Sequence, residues 1–268
     1  MTLLQMRGVT QTYALPRQGL FAARPRLTVL DAVDFGVDLG QAAGLVGESG
    51  AGKTTLTRIL TGLERPQVGH VQFDGTDIWA GDTARRAQFR RAVQVVMQNP
   101  RSSLDPRMRV GVALHEPLLS LKIAGDHAAR VHQVIDQVGL TRAALERFPH
   151  EFSGGQLQRI AIARALMPGP RVLIADEPVS ALDVSIQAQV LNLLKDLVAD
   201  LGLSLVLIAH DLSVVAYSTS RVSVISAGKI VETGAPLELF TRPRTAETRA
   251  LVEAVLTVEA GLAGHALD

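Results

Sequence analysis

Eight consecutive residues of this 268-residue chain, Gly47-Glu48-Ser49-Gly50-Ala51-Gly52-Lys53-Thr54, fit the spacing G-x-x-x-x-G-K-[ST]. Such glycines permit backbone angles that turn successive N–H groups inward, making a nest for phosphate oxygens. Lys53 offers a point charge to β- and γ-phosphates, the Thr54 hydroxyl a ligand for Mg²⁺, and Thr55 follows on the same turn. A helix starting at Lys53 would add the positive end of its dipole. The bland alternative is a Gly-rich turn that caps a helix. The apolar run before it and the helical pattern after it speak for a phosphate loop.

Three further groups could act on a nucleotide held there. Asp176 and Glu177 close the apolar run 172–175. Asp176 is placed to hold Mg²⁺ through water, and Glu177 to polarise an attacking water. By itself an Asp-Glu pair before Pro178 reads as a turn, and only the company of the phosphate loop turns the reading towards chemistry. His210 ends a second apolar run, 203–209. There it could contact a γ-phosphate and the attacking water, or be a hydrogen-bonded strand-end histidine. His70, His115, His127, His132, His150 and His265 show no metal-ligand spacing. Ser153-Gly154-Gly155-Gln156 precedes a helical pattern. A capping box explains Ser153 and Gln156 but not the glycines, each of which costs the first turn about 1 kcal/mol relative to Ala. A backbone that must approach an anion at a helix N-terminus would explain them.

The element that must position these groups is a parallel sheet. Runs 42–46, 172–175 and 203–209 are short, rich in Val, Ile and Leu, and interleaved with helical patterns, as central parallel strands are. In such sheets ligands collect at the carboxyl ends of the strands, and each run ends in a chemically capable group. Helical patterns cover residues 53–63, 83–92, 126–138, 156–166, 186–201 and 246–255. Residues 99–168 show no convincing strand, so the chain reads as α/β with a mostly helical insertion. Residues 15–27, rich in Pro, Gly and Arg, are expected as a surface loop, and the last dozen residues as a frayed tail.

Composition narrows the classes further. Hydrophobic residues at 47% and charged residues at 20% suit a chain with a proper core, of one large domain or one domain plus a small appendage. With 27 basic and 26 acidic residues, bulk charge argues for neither nucleic acid nor an anionic bilayer as the main partner. The absence of cysteine rules out disulfides and thiolate-bound metals or iron–sulfur clusters, and fits a reducing compartment. Residues 1–13 are too polar for a secretory signal, and the best apolar stretch, 201–209, falls short of the ~20 residues that span a bilayer. Membrane association is expected only through partners.

These motifs, in this order, resemble the ABC ATPase family over about residues 2–255. The phosphate loop is followed by Gln98, matching the Q-loop. Ser153-Gly154-Gly155-Gln156 comes next, close to the Leu-Ser-Gly-Gly-Gln signature. Asp176-Glu177 and Ser180-Ala181-Leu182-Asp183 follow, the latter matching the D-loop, and His210 matches the switch histidine. The resemblance implies a phosphate-loop NTPase fold with a parallel central sheet, an antiparallel N-terminal β portion and a helical subdomain. Its core would be about residues 1–98 and 169–240, its helical subdomain about 99–168, within one domain over 1–255, with a C-terminal helix and tail over 241–268. The implied cofactors are ATP and Mg²⁺, the metal side being Thr54, Gln98 and Asp176. The implied catalytic groups are Glu177, His210, Gln98 and Lys53. Nucleotide contacts would come from Gly47, Glu48, Ser49, Gly50, Ala51, Gly52, Lys53, Thr54, Thr55, Ser153, Gly154, Gly155, Gln156 and Asp183. Tyr13 takes the place of the aromatic that stacks on adenine, and also reads as a core tyrosine at a strand end. Two subunits are implied head to tail, each ATP lying between the phosphate loop of one and the Ser153–Gln156 segment of the other.

Gln98-Asn-Pro-Arg-Ser-Ser-Leu-Asp-Pro-Arg107, the 15–27 insertion and Thr248-Arg-Ala-Leu251 resemble the oligopeptide, dipeptide and nickel importer branch. Residues 1–4, 62–66 and 153–159 look closest to the second ATPase subunit of nickel importers. That branch implies a second ATPase subunit, expected to be a different protein although a homodimer is possible, two transmembrane permease subunits, and indirectly a solute-binding protein. Residues 98–109 would form the groove for a permease coupling helix. The expected place is the cytoplasmic face of a bacterial inner membrane, as a peripheral protein. A chromosome-maintenance ATPase needs a long coiled coil between the motif halves, a pattern these residues lack. A translation-associated relative usually carries two cassettes. A regulatory subunit with little hydrolysis stays open as the alternative.

Overall fold

In a computed structural model of the chain, residues 2–17 and 24–264 are described. The strands are β1 (Thr2–Ala14), β2 (Arg26–Asp38), β3 (Ala42–Val46), β4 (Val68–Phe73), β5 (Thr76–Asp77), β6 (Val93–Val96), β7 (Val172–Asp176), β8 (Ser204–Ala209), β9 (Arg221–Ser226) and β10 (Lys229–Gly234). The helices are α1 (Lys53–Leu60), α2 (Thr83–Ala92), α3 (Val110–Ser120), α4 (His127–Gln137), α5 (Gly154–Leu166), α6 (Val184–Leu201), α7 (Leu212–Ser218), α8 (Pro236–Thr241) and α9 (Ala246–Gly264).

Two sheets form. One has the order β2-β1-β4-β5 and pairs antiparallel. The other has the order β10-β9-β3-β8-β7-β6, parallel except for the edge pair β9–β10. The three apolar runs expected as central strands are β3, β7 and β8, neighbours in this sheet. Burial on both faces explains their continuous apolar character. Val172 and Ile174 of β7 point to one core, with α1 and the antiparallel sheet, while Leu173 and Ala175 point to the other, with α3 to α6. Helix α1 is thus held between the two sheets by Leu56, Ile59 and Leu60, each fully buried. Truncating any one to Ala costs about 2–5 kcal/mol and loosens the helix that carries Lys53.

Several boundaries differ from expectation for local reasons. Helix α1 stops at Leu60 rather than 63, because Gly62 turns left-handed (φ 68°) and the Leu63 N–H closes on the Arg58 carbonyl. Helix α5 starts at Gly154, two residues early, because Ser153 is its N-cap, and α6 starts at Val184, directly after Asp183. Helix α3 was not legible, having Pro117 inside it and little amphipathic pattern. The loop expected over 15–27 is narrower. The Leu15 N–H donates to the Pro25 carbonyl and β2 begins at Arg26, while residues 18–23 lie outside the described residues. The frayed tail is also revised, since α9 runs to Gly264, with residues 265–268 outside the description. Its start is tied down by Glu232 of β10, which accepts from the Arg244 and Thr245 N–H groups at 3.1 Å. Among the described residues, no helix is long and apolar enough to cross a membrane.

Candidate nucleotide-binding site

Strand register brings the chemistry together. Val46 of β3 lies opposite Ala209 of β8, and Asp176 of β7 opposite Ile208, so three carboxyl ends finish at one level. The phosphate loop leaves β3 at Gly47, where a Cβ would lie 2.2 Å from the Ile225 carbonyl oxygen of β9, so only glycine fits. Gly52 has φ 108°, and a Cβ there would meet the Val29 carbonyl of β2 at 2.8 Å. Gly52 caps α1 without a side chain, which leaves the first-turn N–H groups facing the loop.

Lys53, buried, threads back through the loop and donates to the carbonyls of Gly47 (2.6 Å) and Glu48 (3.0 Å). Burial pulls its pKa below the ordinary lysine value, and the charges of Glu177 and Asp176 work against that pull. Lys53 Nζ stands 3.9 Å from Glu177 Oε1. Glu177 is where the groups meet. Gln98 Nε2 donates to its Oε2 at 2.8 Å, and His210 Nδ1 lies 3.7 Å from the same oxygen. Its own backbone is left-handed (φ 47°), uncommon for a side-chain-bearing residue, while its N–H continues the ladder to the Ile208 carbonyl at 2.8 Å. That turn swings the carboxylate off the strand and into the cleft.

A cavity of about 470 Å³ opens there, lined by residues of the 49–55 loop with Gln98, Glu177, His210 and Val29. Thr54 is exposed to it. Asp176 sits below, next to Thr57, whose Oγ1 donates to the Lys53 carbonyl at 3.0 Å. Burial raises the Asp176 pKa. Glu177 adds to the rise, while Thr57 and Lys53 work against it. The candidate metal side of Thr54 hydroxyl, Gln98 amide and Asp176 carboxylate is an all-oxygen donor set, which fits a hard cation such as Mg²⁺. Among the described residues no cluster of three or more His, Asp or Glu could hold a metal, and Mg²⁺ bound with a nucleotide needs no such cage.

Tyr13, at the end of β1, is partly exposed and hydrogen-bonds Glu64 Oε1 at 2.6 Å. Burial and the Glu64 acceptor raise its pKa, and Thr55 beside it works the other way, so the ring stands next to the phosphate loop. Glu64 also takes a bond from Gln11 Nε2 (2.7 Å) and faces Arg58 at 3.3 Å. Neither Glu64 nor Thr57 was singled out from the sequence. Thr57 is four residues past Lys53 on the same helix, the one signal that could have found it.

Ser153–Gln156 and Asp183 do not line this cavity. Ser153 caps α5, its Oγ accepting from Gln156 N–H (3.4 Å) while Gln156 Oε1 accepts from Ser153 N–H (3.1 Å). The capping box is therefore real. Packing gives Gly155 a second reason to be glycine beside the expected ligand contact, because a Cβ there would meet Ile186 Cγ2 of α6 at 2.5 Å. Gly154 is exposed, with Leu182 Cδ2 at 3.1 Å. Asp183, exposed, is the N-cap residue of α6 and its side chain makes no capping bond.

Residues 30–180 match the protein family described as ABC transporter. The chain is 44% identical over 254 residues to the dipeptide transport ATP-binding protein DppF of Haemophilus influenzae, covering 94% of this chain and 77% of that protein. Against the DppF of Escherichia coli the figures are 45%, 94% and 76%. Among solved structures, the dimeric post-hydrolysis state of the ATP-binding cassette MJ0796 bound to ADP and Pi matches with a TM-score of 0.76 at 26% identity, over 87% of this chain and 99% of that one. The cbiO1 protein from Clostridium perfringens, part of the ABC transporter complex cbiONQ, matches with a TM-score of 0.77 over 99% and 98%, and at 22% identity speaks for the fold alone. With its phosphate loop, acidic strand end and strand-end histidine converging on one cleft, this chain belongs to the ABC transporter family as an ATP-hydrolysing subunit.

Proposed function

We propose that the chain powers an importer of dipeptides or oligopeptides by closing with a second ATPase subunit around ATP. The observation that carries this reading is the identity of 44–45% across 94% of the chain to proteins named for dipeptide transport. Nickel or metal-chelate import is the second substrate reading, favoured by the nickel-type details at residues 62–66 and 153–159. The mate is a different ATPase protein, and the pair docks on two permease subunits at the cytoplasmic face of a bacterial inner membrane. A solute-binding protein delivers the cargo to them. Residues 99–168 act as a helical subdomain that carries the signature tip.

Within this proposal Lys53 and the loop N–H groups hold the β- and γ-phosphates, and Tyr13 stacks on adenine. Glu177 orients a water for in-line attack and takes its proton, with Gln98 (2.8 Å) and His210 (3.7 Å) fixing the carboxylate. Thr54, Gln98 and Asp176 would hold Mg²⁺, which supplies charge neutralisation on the phosphate oxygens when bound. Ser153 and Gly154 of the mate's equivalent tip, and this chain's own tip towards the mate, stabilise charge on the γ-phosphoryl group. The distribution of groups supports a shared site: the tip lies outside the cleft and Asp183 is exposed beside it.

The test is to purify the complex from membranes through this chain, identify the solute-binding protein, and measure ATP turnover with dipeptides and with nickel. Stimulation by dipeptides is expected. Stimulation by nickel alone would move the proposal to the second reading.

A further inference from the structure

Gly155 is buried, sits in the first turn of α5 without a left-handed φ, and so has no conformational need to be glycine. Its surroundings supply the need, since a Cβ would lie 2.5 Å from Ile186 Cγ2. Ile186 stands in the first turn of α6, three residues after Asp183 and nine after Glu177. Next to this contact a cavity of about 550 Å³ separates residues 98–101 from α5 and from residues 178–182. The tip is thus not packed on that side, and the Gln158 Nε2 one turn further along α5 is buried without a partner. Seating of the tip then falls to the glycine pair, with Gly155 on Ile186 of α6 and Gly154 near Leu182, two residues before that helix.

We infer that Ile186 is a positioning residue: it seats the Ser153 tip of α5 through Gly155, and so ties the tip that serves the mate's nucleotide to the segment that follows this chain's own Glu177. The inference rests on the shared-site reading above. Gly154 stays exposed beside Leu182, and Gly155 faces Ile186.

The test uses the transporter complex purified through this chain and compares Gly155→Ala, Ile186→Ala and the pairs Gly155→Ala/Ile186→Ala and Gly155→Ala/Ile186→Val. Alanine at 155 overfills the seat, and kcat is expected to fall about tenfold or more. Affinity of this chain's own phosphate loop for a fluorescent ATP analogue is expected to stay unchanged, which also reports that the variant folds. Adding Ile186→Ala removes both γ-carbons and restores kcat to that of Ile186→Ala alone. Adding Ile186→Val keeps Cγ2 and restores nothing. Ile186→Ala alone opens the seat, so a few-fold fall in kcat at unchanged ATP affinity checks the same contact without overfilling it. The seat is overturned if the alanine pair is no better than Gly155→Ala, if valine rescues as well as alanine, or if Ile186→Ala turns over as wild type. Ser153→Ala run alongside separates the two levels. Its failure to slow turnover overturns the shared site and the seat with it, whereas its success with no rescue overturns the seat alone.

Discussion

In the cleft, side chains find their partners across the chain. Gln98 reaches Glu177 over 79 residues, and Lys53 of α1 folds back to the loop and to the end of β7. At the tip of α5, Ser153 and Gln156 close on each other within one turn, and nothing charged from the cleft reaches them. The cleft therefore exists only when β3, β7 and β8 hold their register. The tip is finished locally and needs only to be carried to the right place. A preformed helix end whose own side chains are satisfied, with further N–H groups still unpaired, suits an anion brought by another molecule. A cleft of interdependent groups suits chemistry.

That contrast can be broken most severely at Glu177. Glu177→Gln keeps the size of the side chain and its contact with Gln98 while removing the base, so ATP hydrolysis should fall about 10²–10⁴-fold with nucleotide binding retained, read by single-turnover kinetics and equilibrium binding. Turnover within a few-fold of wild type would take Glu177 out of its role. Ser153→Ala should come next, lowering kcat about 10²-fold in the assembled complex while leaving this chain's own ATP affinity intact. It also removes a helix cap, so thermal unfolding should register about 1 kcal/mol of lost stability. An equal loss of ATP affinity would place the tip in its own chain's site and erase the distinction between the two regions.

The smallest effect sharpens the cleft alone. Because burial raises the Asp176 pKa above 3.8, protonation favours the folded state. That contribution is complete below the unfolded pKa and is lost as pH rises through the raised value. Asp176→Asn, uncharged at every pH, should melt higher than wild type at pH 7, with the difference shrinking as pH falls towards 3.8. A difference that grows on acidification would mean that Thr57 and Lys53, and not burial, dominate there.

The same contrast explains what the sequence could and could not disclose. The strands under the cleft were legible because continuous apolar runs of β3, β7 and β8 reflect burial on both faces, and their ends carry the reactive side chains. The pairing of Gln98 with Glu177 and the nearness of Asp176 to Thr57 depend on strand register and on the depth of α1, which no local pattern encodes. The capping box was readable because it is contained in four residues. The packing reason for Gly155 was not, since Ile186 is 31 residues away and meets it only once α5 and α6 have packed. Pro117 hid α3, and the small residues after Val255 hid the extent of α9.

The most direct measurement is sedimentation velocity of the Glu177→Gln chain together with the ATPase subunit that copurifies with it, with and without ATP. The expected result is a two-subunit species that forms only with ATP and is lost when Ser153→Ala is added. A Glu177→Gln chain that stays monomeric at saturating ATP, while the unmodified chain alone hydrolyses ATP at the rate of the full complex, would contradict a nucleotide site built from two molecules.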